Sequence, residues 1–575
     1  MGRDGGMPPP AASECDVLVV GSGAGGLSVA VTAAFHGLNV IVVEKEPVIG
    51  GTTAWSGGWM WIPRNPLARD AGIIELPEAP RRYLQSEIGA HAGDRRIAVF
   101  LANAPEMVAF FRSETRVAFV DGNAVPDFHA SPGSADGGRS VCAAPFDGRL
   151  LGAWIGKLRP PLDVVSLWGM GIAAGSDLAH FMNATRSLAS ATHVAGRLLR
   201  HGRDLLLQGR GMQLVNGNAL AAGLLRSALD LGVGIETETP AVRLLWEDRR
   251  VVGAVVPRDG GERHVRARLG VVLAAGGYPH DRDRIAETYA HARGGVDHFS
   301  AAPGSNTGDG LRLGESVGGV VDANIASPAA WSPVSLVPLG GDRIGRFPHL
   351  IGRAKPGIII VDRHGHRFVN EAESYHDVGA ALLANTPAGE APVAWLVCDH
   401  AAQRRYGLGW ARPFPFPLGG AVRSGYLKKG GTIGDLARAC GIDAAALERT
   451  VAAFNQDASR GVDPRFGRGL SSYNRVQGDR GHVPNPALGP LARAPFYAVR
   501  LLLGDLGTFA GLVTDARGRV LDRAGAAIDG LFAVGNDMAS IMAGHYPSGG
   551  ITLGPAMTFG YVVGRTLAGQ TIAEP

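Results

Sequence analysis

A glycine-rich turn between two short apolar segments is the feature that most restricts how this chain can fold. The stretch DVLVVGSGAGGLSVAVTAAFHGLNVIVVEKE (Asp16 to Glu46) predicts a strand at Val17 to Val20, a helix at Ala30 to His36 and a second strand at Val40 to Val43. The spacing GxGxxG between the first strand and the helix is typical of a turn that binds the phosphates of a dinucleotide. The sequence therefore predicts a βαβ dinucleotide-binding unit.

The three motif glycines have separate tasks in such a unit. Gly21 allows the tight turn, Gly23 lets the backbone approach a pyrophosphate, and Gly26 lets the helix pack closely on the strand. The helix N-terminus then faces the phosphates, and Glu44, at the end of the second strand, can accept hydrogen bonds from a ribose. An ordinary glycine-rich turn without a ligand is the alternative. The predicted contacts are Gly21, Gly23, Ala24, Gly25, Gly26, Glu44 and Lys45.

Length and composition indicate a globular protein of several domains. A chain of 575 residues exceeds the size of one core, so we expect two to four domains. Its 56 basic and 52 acidic residues give a net charge of +4, without a basic cluster joined to a reader motif, so nucleic-acid binding is not expected.

Cysteine spacing and the N-terminal segment predict a cytoplasmic protein. The four cysteines show no metal-binding spacing, which predicts reduced thiols and no metal site. The start, MGRDGGMPPPAASE, lacks the apolar segment of a signal peptide, and no apolar run is long enough to span a membrane. The apolar stretch from Leu162 to Ala174 leaves a peripheral membrane contact open.

The segment after the second strand indicates which dinucleotide is bound. PVIGGTTAWSGGWMW (Pro47 to Trp61) resembles the second flavin-contacting loop of the superfamily of FAD-dependent fumarate reductases and 3-ketosteroid dehydrogenases. The resemblance continues to about Thr566 and implies FAD as the cofactor. In this loop it implies contacts from Gly50, Gly51, Thr52, Thr53, Ser56, Gly57 and Gly58.

Later motifs of the same superfamily follow in order along the chain. They are GMQLVNGNALAAGLL (Gly211 to Leu225, a helix), AVRLLWEDRRVVGAVV (Ala241 to Val256, a β-hairpin), VVLAAGGYPHD (Val271 to Asp281, a buried strand and turn), NTGDG (Asn306 to Gly310) and GLFAVGND (Gly530 to Asp537, a late strand). Within the hairpin, Ala241 or Val242 would offer its backbone to the adenine. The implied cofactor contacts are Val242, Ala275, Gly276, Asp309, Asn536 and Asp537.

The tail AGHYPSGGITLGPAMTFGY (Ala543 to Tyr561) places a phenol in a glycine-rich loop before a helix. A helix that begins near Ile551 to Gly554 would direct its positive end at the flavin pyrimidine, with Gly550, Thr552 and Leu553 as contacts. Bulky side chains would block this approach. The Tyr546 hydroxyl is expected to reach over the flavin into a substrate pocket.

A second phenol follows a motif in the middle of the chain. IIIV (358–361) and RFVNE (367–371) predict two strands of a hairpin that the superfamily shares, and Tyr375 lies four residues after the Asn-Glu pair. In the fumarate reductase branch this position is an arginine that donates a proton. A phenol cannot clamp a carboxylate as a guanidinium does, but it can act as a base if neighbouring groups lower its pKa.

Tyrosine at this position, together with the tail tyrosine, resembles the 3-ketosteroid Δ1-dehydrogenases. VPDFHASPGSADGGRSVCAAPFDGRLLG (Val125 to Gly152) resembles the segment that carries another active-site tyrosine in that branch, but this chain has Phe128 and His129 there. The tail also departs from the branch, because Ser548 stands where a glycine is usual. A substrate unlike the usual one is therefore left open.

The resemblance implies a mechanism with Tyr375, Tyr546 and Gly550 as the catalytic residues. The Tyr546 hydroxyl and the Gly550 amide would form an oxyanion hole for a 3-keto group, and Tyr375 would take a proton from carbon 2. Hydride would pass from carbon 1 to flavin N5, and the reduced FAD would pass its electrons to a quinone or another acceptor. The predicted reaction is Δ1-dehydrogenation of a steroid-like ketone, favoured over Δ4-dehydrogenation.

Other interpretations of the same residues stay open. The chain could be a fumarate-reductase-like ene-reductase, against which Tyr375 counts, or a flavoprotein subunit that relays electrons to a partner. Tyr375 could be a core residue, Tyr546 could pack on Pro547 in a turn, and His376 could be the proton partner of Tyr375.

The predicted fold class is α/β, with a discontinuous Rossmann-like FAD-binding domain and a smaller inserted α/β catalytic domain. The first part of the FAD-binding domain covers residues 1–302 and includes a helical insert at about 154–210. The catalytic domain covers residues 303–492, and residues 493–575 complete the FAD-binding domain.

Overall fold

The computed structural model describes residues 13–258, 261–322 and 324–574. The first twelve residues, which belong to the start predicted to lack a signal peptide, lie outside this range. In the described part of the chain, every helix is too short or too polar to traverse a lipid bilayer.

Strands and helices alternate along the chain, as expected for the α/β class, which is confirmed. The strands are β1 (Ser13–Val20), β2 (Val40–Val43), β3 (Trp59–Trp61), β4 (Phe119–Asp121), β5 (Ser140–Ala143), β6 (Phe146–Asp147), β7 (Gln213–Leu214), β8 (Gly234–Glu236), β9 (Arg243–Glu247), β10 (Arg250–Arg258), β11 (Gly261–Leu273), β12 (Ala329–Pro338), β13 (Ile344–Pro348), β14 (Ile358–Asp362), β15 (Val393–Cys398), β16 (Leu427–Gly430), β17 (Phe496–Thr508), β18 (Arg519–Leu521) and β19 (Ala527–Ala533). The α-helices are α1 (Ala24–Phe35), α2 (Pro66–Asp70), α3 (Glu78–Ile88), α4 (Arg95–Glu114), α5 (Ser176–Asn183), α6 (Leu188–Gln208), α7 (Asn216–Asp230), α8 (Arg282–Thr288), α9 (Asp309–Ser316), α10 (Tyr375–Ala384), α11 (His400–Tyr406), α12 (Gly419–Arg423), α13 (Ile433–Cys440), α14 (Ala444–Ala458), α15 (Ser472–Gln477) and α16 (Leu553–Leu567).

The first and larger sheet joins the two ends of the chain. Its strands follow the order β18-β19-β10-β11-β1-β2-β8, and β9 pairs with β10. The central strands β2, β1, β11 and β19 run parallel. The strands predicted at 17–20 and 40–43 are present, but α1 begins at Ala24 rather than at Ala30. It begins there because Gly25 and Gly26 form its first turn, packed against Val534 and against the Gly21 carbonyl.

The second sheet is antiparallel and follows the order β13-β12-β17-β15-β14, with β16 paired to β17. Strand β17 is its centre, although the predicted boundary at residue 492 assigns this segment to the FAD-binding domain. The strand pairing thus places residues 496–508 with the inserted sheet. The division of the chain into domains stays a prediction.

The second strand predicted at RFVNE (367–371) is absent, and that prediction is wrong. The segment forms a buried network of side-chain ion pairs instead of the backbone hydrogen bonds that join two strands. Arg367 contacts both Glu371 and Asp463, at 2.7 and 2.8 Å. The amide of Ile360 in β14 donates to the Glu371 carboxylate at 3.1 Å, so a side chain replaces the expected backbone partner. β14 pairs with β15.

Candidate functional site: a cavity between the two sheets

A cavity of about 1640 Å³ extends from the carboxyl ends of β1 and β2 to the N-terminal ends of α10 and α16. Pockets for single small molecules are typically about 300–1,000 Å³. The cavity therefore has room for a dinucleotide and a second ligand.

The turn between β1 and α1 is shaped to receive a ligand. Gly21 has a left-handed φ of +107°, and a side chain there would collide with the Ala274 carbonyl. Beside Gly23 the space is open, because the nearest atom to an added Cβ is Thr53 Oγ1 at 3.8 Å. Thr53 Oγ1 also accepts a hydrogen bond from the Ala24 amide at 2.9 Å, which anchors the start of α1. The N-terminus of α1 faces this open space, as an anion-binding turn requires.

Two ionised side chains at the end of β2 line the cavity beside this turn. Glu44 Oε2 accepts from the amide and the hydroxyl of Ser22, at 3.1 and 2.6 Å. Its carboxylate therefore stabilises the turn as well as facing the cavity. Lys45 forms an ion pair with Asp309 and donates to Thr307 Oγ1 at 2.8 Å.

A buried network of polar side chains holds the remaining loops around the cavity. Asn306 Nδ2 donates to Thr52 Oγ1 at 2.9 Å and to the Gly276 carbonyl at 3.1 Å. Asp537 accepts from the amides of Ala275 and Gly277, at 2.5 and 2.9 Å. Burial raises the pKa of Asp537 to about 6, and these two amides oppose the rise.

Two phenols from distant parts of the chain meet at the other end of the cavity. The Tyr375 hydroxyl donates to the Tyr546 hydroxyl at 2.6 Å, and the ring centroids are 5.1 Å apart. Tyr375 is the first residue of α10, which Ser374 caps by accepting from the Asp377 amide at 3.1 Å. Tyr546 is buried in the loop that leads to α16, and both tyrosines line the cavity.

Gly550 lies where the tail loop passes over β3. It has φ +95°, and an added Cβ would lie 2.5 Å from the Trp59 carbonyl oxygen and 2.6 Å from Met60 Cα. The close approach of β3 therefore requires glycine at this position, whether or not a ligand is bound. Among the described residues the Gly550 amide has no acceptor, and Gly550 lines the cavity at the positive end of α16.

Family membership follows from a match along nearly the whole chain. The protein family described as an FAD binding domain matches residues 16–553. The chain belongs to this FAD-binding family. The FAD predicted from the glycine motifs is thereby confirmed as the cofactor of this flavoprotein.

Comparison with similar proteins indicates which class of flavoprotein this is. The chain is 40% identical to 4-oxocyclohex-2-ene-1-carboxylate 5-dehydrogenase of Sinomonas cyclohexanicum, over 96% of this chain and 94% of the relative. It is 36% identical to 3-oxosteroid 1-dehydrogenase of Mycobacterium tuberculosis (strain ATCC 25618 / H37Rv), over 97% and 99%. The structure of 3-ketosteroid delta1-dehydrogenase from Sterolibacterium denitrificans, in complex with 1,4-androstadiene-3,17-dione, superposes with a TM-score of 0.89 at 34% identity, over 97% of this chain and 100% of that one. The flavoprotein is therefore an FAD-dependent dehydrogenase, and the resemblance drawn from its motifs is confirmed.

The residues of the cavity fit FAD. The open space beside Gly23, the start of α1 and the carboxylate of Glu44 suit a pyrophosphate and a ribose. The unpaired Gly550 amide, at the positive end of α16, suits a group that gains negative charge.

Most of the predicted site residues line this one cavity. They are Gly21, Gly23, Ala24, Gly25, Glu44, Lys45, Gly51, Thr52, Thr53, Ser56, Gly57, Gly58, Ala275, Gly276, Asp309, Tyr375, Asn536, Tyr546, Gly550, Thr552 and Leu553.

Four predicted contacts, Gly26, Gly50, Val242 and Asp537, do not line the cavity. Gly26 packs on the Gly21 carbonyl, Gly50 packs near Ala54, and Asp537 holds the neighbouring loop from behind. The Val242 amide donates to the Val255 carbonyl at 2.9 Å, so it is not available to an adenine. Its neighbour Ala241 lines the cavity, and an adenine contact in this hairpin stays a prediction.

The pKa of Tyr375 moves in the direction opposite to the one that would favour a phenolate base. Burial, followed by the contact with Tyr546, raises the pKa of Tyr375 well above its usual value of 10. Burial also raises the pKa of Tyr546, against the hydrogen bonds with Tyr375 and Thr552. His376 does not contact the Tyr375 hydroxyl; its Nδ1 accepts from the Trp331 amide at 3.1 Å, and burial lowers its pKa to about 4. Both phenols are therefore neutral at neutral pH.

Sequence reasoning missed an aromatic cluster around the phenols. The Phe128 ring lies 5.8 Å from the ring of Tyr375 and 5.7 Å from that of Tyr546. On its other side it contacts Tyr473 of α15, with 4.6 Å between centroids. Tyr473 lines the cavity, and its hydroxyl forms no hydrogen bond with any described residue. A third phenol thus enters the site from another element, and no sequence motif marked it.

His129 lies behind this cluster as part of a closed ion-pair group. Its Nε2 bonds Asp377 at 2.8 Å, and its Nδ1 bonds Glu87. Burial opposes the charge of the ring, but the bonds to Asp377 and Glu87 outweigh it and raise the pKa of His129 to about 10. His129, Glu373 and Asp377 have possible metal-ligand atoms within 4.8 Å of one another, but both ring nitrogens already have carboxylate partners.

Proposed function

We propose that the flavoprotein introduces a carbon–carbon double bond next to a ring ketone. The observation that carries this proposal is the 2.6 Å hydrogen bond between the Tyr375 and Tyr546 hydroxyls, beside the unpaired Gly550 amide. One phenol and one amide suit an oxyanion hole for a ketone, and the second phenol suits transfer of the proton from the adjacent carbon.

Two neutral phenols can do this chemistry as a relay, without a phenolate. Tyr546 donates its proton to the ketone oxygen and accepts the proton of Tyr375, while Tyr375 accepts the proton of the carbon next to the ketone. Three protons move, no net charge is formed, and the ketone becomes its enol. The direction of the hydrogen bond from Tyr375 to Tyr546 supports this order.

FAD, when bound, supplies a two-electron acceptor for the hydride that leaves the next carbon. As the hydride leaves, the enol oxygen gives its proton to Tyr546, Tyr546 passes its own proton to Tyr375, and the proton that Tyr375 took from carbon is released to solvent. The ketone is thereby restored, now conjugated with the new double bond. The chain's own part is to hold the ring, to enolise it and to exclude water.

A 3-ketosteroid oxidised at the 1-position is the leading substrate. The relative from Mycobacterium tuberculosis and the steroid-bound structure support it. A 4-oxocyclohexene carboxylate is a second candidate, because the 40% identical relative is named for that compound. Tyr375 in place of an arginine argues against an ene-reductase that clamps a dicarboxylate.

A quinone is the proposed acceptor of the electrons, taken up near a membrane surface. The helix α6 exposes apolar side chains beside the mouth of the cavity, which supports peripheral contact with lipid. These are Leu188, Leu199, Leu206 and Leu207, each at least 69% exposed. A cytoplasmic location stays a prediction, with which the four free cysteines agree.

Anaerobic mixing of the purified flavoprotein with androst-4-ene-3,17-dione tests the proposal. We expect the ketone alone to bleach the yellow flavin absorbance and to yield the 1,4-diene. Fumarate-dependent oxidation of a reduced dye would instead indicate the ene-reductase. No reaction with any ring ketone unless a partner protein is added would indicate an electron relay.

A further inference from the structure

One wall of the substrate end of the cavity carries a cation without a carboxylate partner. Lys355 lines the cavity, and its Nζ donates to the carbonyls of Gln477 and Gly478, at 2.7 and 2.6 Å. An ammonium has three donors, so one remains. Within the described part of the chain, Lys355 forms no ion pair with a carboxylate. Burial lowers the pKa of Lys355 to about 8, against the opposing effect of the Asp479 charge, as expected for a cation held away from water.

Two arginines increase the positive charge of the same wall. Arg405 of α11 and Arg480 both line the cavity. Arg405 donates to the Met182 carbonyl at 2.7 Å and contacts Asp479 at 3.2 Å, but its buried Nε has no partner in the described residues. Asp479 is also shared with the Tyr406 hydroxyl, at 2.8 Å. Its single negative charge does not balance the three cations.

One short helix connects this wall with the phenol cluster. Tyr473 and Gln477 lie near the two ends of α15. Tyr473 contacts Phe128, which contacts both catalytic phenols. Lys355 bonds the other end of the same helix, through the Gln477 carbonyl, and lines the same cavity. The cation and the phenols therefore face one continuous space.

We propose that Lys355, supported by Arg405, binds the carboxylate of a keto acid, so that this flavoprotein oxidises a ring keto acid in addition to neutral ring ketones. The inference rests on the proposed function and extends its substrate class. The ketone lies at Tyr546 and Gly550, and the acid lies at the opposite end of the ring.

A purely structural role for Lys355 makes a different prediction. Its two carbonyl partners lie at and just after the end of α15, where a cation stabilises a helix. Loss of such a cap would weaken the fold and affect all substrates equally. Loss of an anion site would affect the acid alone.

The test compares an acid with its neutral ester in the holoenzyme. Substrates are 4-oxocyclohexanecarboxylate and its methyl ester, with a dye as electron acceptor, for the wild type, Lys355→Met, Lys355→Arg and the exposed control Lys429→Met. For Lys355→Met we expect KM for the acid to rise about 10- to 100-fold, as for loss of a charged hydrogen bond, and KM for the ester to change less than threefold. Lys355→Arg should recover most of the acid activity, and Lys429→Met should behave as wild type.

Each other outcome decides against one specific claim. An equal fall with acid and ester in Lys355→Met, or no fall, overturns the anion site. If wild type oxidises androst-4-ene-3,17-dione and the ester but not the acid, the anion site is also overturned while the proposed function stands. If wild type oxidises no ring ketone, the proposed function itself fails. Should Lys355→Met lose FAD or fold poorly, Lys355→Gln takes its place, because its amide can still donate to the two carbonyls: a rise in KM for the acid alone supports the site, and an equal change for acid and ester rejects it.

Discussion

Replacement of Tyr546 by phenylalanine is the sharpest perturbation of the phenol relay, because it removes one oxygen atom and leaves the ring in place. The ring is held by Phe128, with which it stacks at 14° between planes, and by Phe509. The hydroxyl is both the donor to the ketone and the acceptor from Tyr375. A single substitution therefore interrupts the oxyanion hole and the proton relay together.

The size of the effect follows from these two roles. Loss of one oxyanion donor typically lowers kcat by about 10²–10³, and loss of a positioned acid or base by about 10²–10⁴. Because one hydroxyl serves both roles in one concerted step, the losses do not multiply, and we expect kcat to fall by about 10³. The Tyr375 hydroxyl loses its acceptor but can bond to water in the cavity, so the free energy of unfolding should fall by only about 1 kcal/mol.

The assay follows the enolisation separately from the redox step. Exchange of the hydrogen next to the ketone with deuterated solvent, measured by NMR without an electron acceptor, reports the relay alone. It should be lost in Tyr546→Phe while the FAD spectrum is retained. Tyr278→Phe is the matched control, since that tyrosine is buried, its hydroxyl bonds Thr288 at 3.2 Å, and it does not line the cavity. Turnover and exchange in Tyr546→Phe within threefold of wild type, with FAD bound, would refute the relay.

Three further substitutions test other parts of the site. Tyr473→Phe should lower kcat/KM about tenfold without a change in thermal stability, because its hydroxyl bonds no described residue; unchanged steady-state kinetics would exclude it from the site. Gly550→Ala should lower the free energy of unfolding by about 1–3 kcal/mol and reduce the FAD content, because φ is +95° and the new Cβ would meet the Trp59 carbonyl; a fully loaded, equally stable variant in a denaturant titration would contradict this. His129→Gln should be about 3 kcal/mol less stable than wild type at pH 6.5. The pKa of His129 in the folded protein is raised to about 10. The contribution of His129 to the free energy of unfolding is therefore complete at pH values below the ordinary pKa of histidine, and it is lost as pH rises through 10. Unfolding curves of the two proteins should converge by that pH, and a constant gap would argue against the ion pair with Asp377.

Local sequence signals predicted the cofactor end of the molecule well. The two strands β1 and β2 and the glycine turn between them depend mainly on local backbone geometry. All of them lie where the predicted βαβ unit places them. The β-hairpin formed by β9 and β10 was predicted from resemblance to a superfamily motif and is present. The meeting of Tyr375 and Tyr546 followed from resemblance to a family, since no local signal connects residues 171 positions apart.

Features that depend on the tertiary environment were missed or predicted wrongly. RFVNE was predicted as a strand from the superfamily hairpin, but Arg367 and Glu371 are charged and buried, and their partner Asp463 comes from far along the chain. Base action by Tyr375 was made conditional on a lowered pKa, whereas burial, which no sequence pattern reports, raises it. Lys355 has no motif because its role depends on a cavity wall assembled from several segments.

The order of strands in the first sheet has a consequence for the newly made protein. β1 pairs with β11, so the middle of that sheet closes only after about 273 residues have been synthesised, and β19 is added after residue 533. Tyr546 and α16 leave the ribosome after every strand of both sheets. A growing chain that has not reached Tyr546 therefore possesses the phosphate turn but not the phenol pair, and oxidation of substrate begins only after residues 546–567 have been made.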